Sequence, residues 1–256
     1  MDIATQLQTA LRSHSLPIPS HTWLQTLSSS RNPPPPLASL IATARTRLLA
    51  SDLTTPGLLD SAYTTAHSLP ANLTHTQTSI PESRLGRDVV LQVLDIENLS
   101  RSRWEQVEEL EAIERGELTR GRQVIRLPIG TAGGANDGGD GEGVGDATQT
   151  QAGAATQAAR ESERQARNAT HKLVLQDCKG AKIFGIELVR VERIAIGKLS
   201  IGEKVLIRAG TRVARGVLLL EPAQCLVLGG KVEAWHKPWT EERLARLREA
   251  VGGDRR

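Results

Sequence analysis

The side chains with the chemistry for catalysis are few and scattered. Six histidines, His14, His21, His67, His75, His171 and His236, fall among loops and element ends. None stands beside a Ser or Cys and a carboxylate in an arrangement that would supply nucleophile, base and orienting acid. Cys178 and Cys225 lie in or beside strand-like runs, with no second Cys or His at a ligand spacing, and read as reduced thiols, not as a metal site. The glycine-rich tract from Gly130 to Gly153 invites comparison with a phosphate-cradling loop. It lacks Gly-Lys-Ser or Gly-Lys-Thr at its end, lacks Gly-x-Gly-x-x-Gly between a strand and a helix, and carries Asp137, Asp140, Glu142 and Asp146, which repel phosphate. The sequence therefore points to no catalytic residue, no cofactor and no metal, and the protein is read as not an enzyme.

Stepping outward from these residues, the elements centre on His171 to Gly230, where strand signals follow one another. His171 to Gln176 alternates polar and apolar, turns at Asp177-Cys178-Lys179-Gly180, and resumes a period of two over Lys182 to Arg193, a long curved strand in which Gly185 marks a bulge or bend. Lys204 to Arg208 follows, then Gly210 to Gly216 as a turn, Val217 to Leu220, and Cys225 to Leu228, with Glu221-Pro222 interrupting the return strand. One strand lies upstream, Asp88 to Ile96. Five short strands in this order predict an α+β protein with a mainly β core, a five-stranded OB-fold barrel.

Helical periodicity surrounds that core. Ile3, Leu7, Ala10 and Leu11 share a face behind Asp2, Ser20 caps a short helix with Trp23, Leu24 and Leu27, and Leu37, Leu40, Ile41, Ala44 and Leu48 form a third stripe after Pro33 to Pro36. The long insertion between the first and second strands opens with a capping box, Ser102 and Glu105, and a helix whose apolar arc is Trp104, Val107, Leu110 and Ile113. The rest of that helix is acidic. The tract beyond, Gly130 to Gly153, has too little apolar content to offset its ordering entropy and is expected to be disordered when free. At the C-terminus, Trp239 and Leu244 fit a hydrophobic staple around Thr240, which predicts a capped helix. The expected divisions are 1–53 for the three-helix region, 54–87 for a connector, 88–234 for the OB-fold with its insertion at 97–170, and 235–256 for the C-terminal helix and tail.

The totals narrow the class. Aromatic residues make up only 2%, so the core must be built from Leu, Val, Ile and Ala. A net charge of +3 is too small to argue for strong phosphate binding by itself. The longest apolar run falls short of a membrane span, and Asp2 stands where a secretory signal would carry positive charge, so an intracellular protein is expected. Among the strands only Phe184 supplies an aromatic platform. The sheet face is otherwise aliphatic, which suits a protein partner better than stacked bases.

These runs carry a resemblance. Gly216-Val-Leu-Leu-Leu-Glu-Pro222 and Val227-Leu-Gly-Gly-Lys-Val-Glu-Ala234, with Leu173-Val-Leu-Gln-Asp177 and Leu91-Gln-Val-Leu-Asp95, are similar in content and order to the N-terminal domain of the RecQ-mediated genome instability protein 1 family. Pro17 to Leu24 and Arg47 to Leu53 resemble its helical leader. The resemblance implies a non-catalytic scaffold or regulatory subunit in the nucleus, joining a RecQ-family helicase to a type IA topoisomerase, topoisomerase III, in a complex that dissolves double Holliday junctions. It implies that DNA is met mainly through the complex, that no membrane is involved, and that the insertion modulates the topoisomerase gate through Trp104, Val107, Leu110 and Ile113. On the barrel, Phe184 and Lys204 are the expected partner contacts; Lys204 matches a Lys of the family pattern, and the plain alternative is a solvent-facing lysine at a strand end. The alternative function is a stand-alone OB-fold protein that binds single-stranded nucleic acid.

Overall fold

The structure is a computed structural model and describes residues 2–29, 35–74, 81–116, 118–119, 122–123 and 168–253. The expected Gly130 to Gly153 tract lies outside the described residues, as do Pro33, Pro34 and His75. The chain divides into two compact units, one of residues 1–100 and 169–243, the other of 101–168 and 244–256.

In the first unit three helices pack together: α1 (Ile3–Ser13), α2 (His21–Ser28) and α3 (Leu37–Ala50). Their buried faces follow the sequence periodicity, with Ala4, Leu7 and Leu11 on α1, Leu24 and Leu27 on α2, and Leu40, Ala44 and Leu48 on α3. Ser20 caps α2 by accepting a hydrogen bond from the Trp23 amide. The stretch expected as a connector holds two short helices, α4 (Ser61–His67) and α5 (Ala71–Thr74), and a three-residue strand, β1 (Glu82–Arg84).

The strands that follow are β2 (Val89–Asn98), β5 (His171–Gln176), β6 (Lys182–Glu187), β7 (Lys204–Ile207), β8 (Arg212–Ala214), β9 (Val217–Leu220) and β10 (Cys225–Gly229). A two-residue pair, β3 (Leu118–Thr119) with β4 (Arg122–Gln123), belongs to the second unit. The main sheet is curled and mixed, in the order β1-β8-β9-β6-β5-β2-β7-β10, with β6 and β9 its parallel pair. The architecture is OB-fold-like, but the sheet has eight strands and does not close as the expected five-stranded barrel. The physical reason lies in the last run of chain. Residues 217–229 pair with β6 at their start and with β7 at their end, and the turn at 221–224, which contains Pro222, breaks the ladder between the two halves.

Two local expectations change as well. The strand expected over Lys182 to Arg193 ends at Glu187, because the Leu188 and Val189 amides both turn to the Leu220 carbonyl. Gly185 is no bulge: its register to Leu173 on β5 and Leu218 on β9 is unbroken. A Cβ there would come within 3.1 Å of Leu220 Cδ1 and 3.2 Å of Leu175 Cδ1, so the glycine makes room for core leucines. The register shifts fall at Val93/Asp95 in β2 and Val227/Gly229 in β10.

The sheet's two sides are treated differently along its width. Val90 on β2 and Leu206 on β7 pair across the ladder and are buried against the helical bundle's core. Both faces of these strands are therefore covered, and they read as continuous apolar runs. The β5 and β6 strands alternate buried and open residues. Two helices follow the sheet, Glu233–Glu241 at the C-terminal end of the first unit and Arg243–Gly253, which is the predicted C-terminal helix carrying Leu244; Thr240 lies inside the former and does not cap the latter, and the Trp239 indole Nε1 donates to Asp95 Oδ1 at 2.6 Å.

Candidate protein-docking surface

The outward residues of three neighbouring strands form one apolar field. Register pairing sets Val174 of β5 opposite Phe184 of β6, and Phe184 opposite Val217 of β9. One step along, Ile186 lies opposite Leu219 on one side and Lys172 on the other. Residues between these point inward and are buried, among them Leu173, Leu175, Ile183 and Leu218. Phe184 is 51% exposed at the centre, and Leu188 and Val189 extend the field just beyond β6 at 48% and 51%. Its rim is charged. Lys172 Nζ lies 2.5 Å from Glu97 Oε2 and 5.8 Å from the Phe184 ring centroid, so the ammonium sits beside the aromatic face while bound to a carboxylate. An apolar centre with a polar rim is the layout of a protein-binding patch.

Beside this field lie the strand ends from which the insertion leaves, at β2, and to which it returns, at β5. The Leu99 amide donates to the Thr170 carbonyl and the Thr170 amide donates to Ser100 Oγ, both at 2.8 Å. His171 and Glu187 are buried there, with Nδ1 2.7 Å from Oε2. Glu187 also accepts from the His171 and Val191 amides and from Arg190 Nη1 at 2.6 Å. Burial raises the Glu187 carboxyl, but the bonds from His171, Val191 and Arg190 outweigh it and hold it below the ordinary glutamate value. Arg190 in turn donates to the Val191 and Ile194 carbonyls.

In the second unit, α6 (Arg103–Glu114) starts on the expected capping box: the Glu105 amide donates to Ser102 Oγ, and the Ser102 amide donates to Glu105 Oε2 at 2.8 Å. Val107 is buried, Leu110 and Ile113 are half-buried, and Trp104 is 51% exposed. Arg101 and Arg248 pair with Glu109 and Glu111 on the acidic side.

Lys204 occupies a place that strand spacing did not reveal. Its side chain is fully buried, and Nζ donates to the Ser51 and Gly202 carbonyls, each at 2.6 Å. Opposite it in the ladder, buried Gln92 donates to Asp52 Oδ1 at 2.7 Å and to Gln176 Oε1 at 3.1 Å, and accepts from the Leu53 amide. Together they tie the end of α3 to the sheet. Burial pulls the Lys204 ammonium down to about 8, against the opposing pull of Asp52 and Glu203. The two thiols are equally inert: burial pushes Cys178 up to about 11 and Cys225 up to about 12. Among the described residues no group of three or more His, Cys, Asp or Glu is placed to hold a metal ion, and no helix is long and apolar enough to cross a membrane.

The OB-like sheet and its helical leader match two family models. Residues 69–243 match the model described as RMI1, N-terminal OB-fold domain, and residues 11–56 match RMI1, N-terminal helical domain. The chain belongs to this family. It is also similar to RecQ-mediated genome instability protein 1 of Schizosaccharomyces pombe, 30% identical over 161 residues that cover 63% of each chain. The chain thus matches somewhat under two thirds of that relative's length. Within that family the chain carries the N-terminal helical part and the OB-fold part that the two models describe.

Within the family fold, the expected contact residues separate. Phe184 stands at the centre of an open field, with Val174, Ile186, Val217 and Leu219 as companions. The alternation in β5 and β6 was the signal for them. Trp104 is exposed on α6 while Val107 is spent in packing. Lys204 is neither the partner contact nor the solvent-facing lysine that were the two expectations, because its ammonium is used on backbone carbonyls inside the fold.

Proposed function

We propose that this chain is the scaffold and regulatory subunit of a nuclear complex of a RecQ-family helicase and a type IA topoisomerase that dissolves double Holliday junctions. The observation that carries the reading is the open aliphatic field around Phe184 on β5, β6 and β9, of which β5 pairs with β2, the strand from which the insertion departs. A field with one aromatic ring suits an interlocking protein surface, where a few well-packed anchors dominate affinity. In this reading the sheet docks on topoisomerase III, and the insertion, beginning with α6 and its exposed Trp104, acts on the enzyme's moving gate. DNA reaches the scaffold mainly through its partners.

The test is reconstitution with the topoisomerase of the same organism. Wild type should co-elute and stimulate dissolution. Phe184→Asp combined with Ile186→Asp should abolish co-elution while leaving the circular dichroism spectrum intact. Deletion of Arg101 to Arg167 should preserve the fold and lose stimulation. Undiminished co-elution by the double aspartate variant would remove the sheet face from the interface, and undiminished stimulation by the deletion would remove the insertion from the mechanism.

A further inference from the structure

The main sheet ends on one side at β1, and the pairing of β1 with β8 fixes which backbone groups lie on its outer edge. The Pro81 carbonyl accepts from the Arg215 amide and the Leu85 amide donates to the Thr211 carbonyl, with Ser83 opposite Val213 between them, so positions 81, 83 and 85 bond toward β8. In an antiparallel ladder the intervening residues turn the other way, and the N–H and C=O groups of Glu82 and Arg84 face outward. None of these groups bonds to another described residue. The missing N–H of Pro81 falls on the β8 side, so the residue type that often blocks an edge does not block this one. Glu82 and Arg84, two residues apart, also project their side chains from one face of the strand, and both are exposed. Arg84 stands opposite Arg212, a like charge across the ladder. Arg212 is neutralised by Glu221, with Nη2 2.9 Å from Oε1, whereas the contact of Arg84 is the Gly210 carbonyl at 3.4 Å. Neither Glu82 nor Arg84 forms an ion pair among the described residues.

We infer that β1 is a self-complementary edge that joins two copies of this chain about a twofold axis through Ser83. Antiparallel pairing centred there sets Glu82 opposite Arg84 of the second copy, and Arg84 opposite its Glu82. These are the positions whose backbone groups face outward, so each pair exchanges two N–H···O bonds. Each pair also closes an ion pair on the exposed face, and Arg84 gains the carboxylate that its own ladder does not supply. The order acid, small residue, base is its own complement when read in the antiparallel sense, which is the reason the occupant is a second copy. Pro81 meets Leu85 of the second copy at a non-hydrogen-bonded position, where an outward N–H is not needed. A three-residue edge buries little surface, so the dimer is weak and depends on concentration. β8 and β9 lie between this edge and β6, and the inference stands without the scaffold reading.

The experiment is sedimentation velocity of the full chain over a range from about 5 to about 500 µM. Wild type should move from monomer toward dimer across that range. E82R sets arginine opposite arginine and R84E sets glutamate opposite glutamate, so each alone should dimerise at least about tenfold more weakly. Mixed in equal amounts, the two variants present opposite charges at both positions, and the mixture should recover the wild-type dimer. The double exchange E82R/R84E on one chain should recover it as well. Those recoveries separate lost pairing from lost fold. F184D/I186D should dimerise like wild type, so failure of the docking reading leaves this result untouched. The inference is overturned if wild type stays monomeric throughout, the outcome expected of an edge that serves a different protein. It is overturned equally if either single variant dimerises like wild type, if the mixture fails to recover the dimer, or if F184D/I186D is the variant that loses it, which would make the Phe184 field the contact between copies.

Discussion

Replacing Lys204 separates a buried lock from a surface contact. The ammonium donates to two backbone carbonyls at 2.6 Å, one at the end of α3 and one just before β7. Lys204→Ala removes both bonds, leaves two buried acceptors unmet and opens a cavity, a loss of about 3–5 kcal/mol. Lys204→Met fills most of the space and removes the charge, so its behaviour depends on pH. In the fold the ammonium titrates at about 8, against 10.5 for the ordinary value. Between those limits the unfolded chain binds the proton and the folded chain does not, so wild-type stability rises with pH across the window and falls back as pH drops through 8. The gain relative to Lys204→Met amounts to about 3 kcal/mol. Urea unfolding followed by tryptophan fluorescence, at intervals from pH 7 to 10.5, reads the difference directly. Other groups titrating in that range are common to both proteins and cancel. A constant difference across the range would refute the buried ammonium, and an unaltered stability of Lys204→Ala would return Lys204 to the surface.

At the acid end the sign reverses. Glu187 is held below its ordinary value, so its contribution is present above that value and is lost as pH falls through the depressed one; Glu187→Gln should unfold more readily at pH 7 yet show a flatter acid limb in thermal denaturation. Gly185→Ala should lower stability by about 1–3 kcal/mol, seen as a reduced Tm, because the new methyl crowds Leu175 and Leu220. Leu206→Ala should cost about 2–5 kcal/mol in urea unfolding, as its side chain is buried against the helical bundle, whereas Phe184→Ala on the open field should leave the midpoint within about 0.5 kcal/mol of wild type.

Periodicity made the helical stripes and most strands legible. Leu7 and Leu11, Leu24 and Leu27, and Leu40, Ala44 and Leu48 face inward as their spacing demands, and the Ser102–Glu105 box opens α6 where two residue types three apart placed it. Position 204 was opaque for a reason of physics. Strand alternation says which side of a sheet a residue faces, but it does not say whether that side is wet, and the helices that cover β7 come from residues about 150 positions earlier. β1 was hidden for a related reason: Glu82-Ser-Arg84 has no strand propensity and is extended only because β8 offers it an edge. Gly185 was visible as an oddity yet its cause was not, since the leucines it accommodates sit on two other strands.

Buried polar bonds decide why the field around Phe184 stands open while the patch around Leu206 does not. Both are apolar and both lie on outward faces of one sheet. The bundle of α1, α2 and α3 is fastened over β2 and β7 by polar bonds that admit one register: Gln92 to Asp52 and to the Leu53 amide, Lys204 to the Ser51 carbonyl, Thr54 to Asp52. Burial alone would raise the Asp52 carboxyl, but those bonds and the nearby Lys204 charge lower it, so the lock is ionised at neutral pH and every partner is matched. Among the described residues the polar lock reaches these strands only at the margin, where Gln176 of β5 accepts from Gln92; the other outward polar groups of β5 and β6 are Lys172 and Lys182. Apolar attraction by itself does not choose a register, and the bundle, already committed by its buried polar bonds, cannot slide across. The hydrophobic field that remains is available to another chain because polar specificity, not apolar area, decided where the protein's own helices would sit.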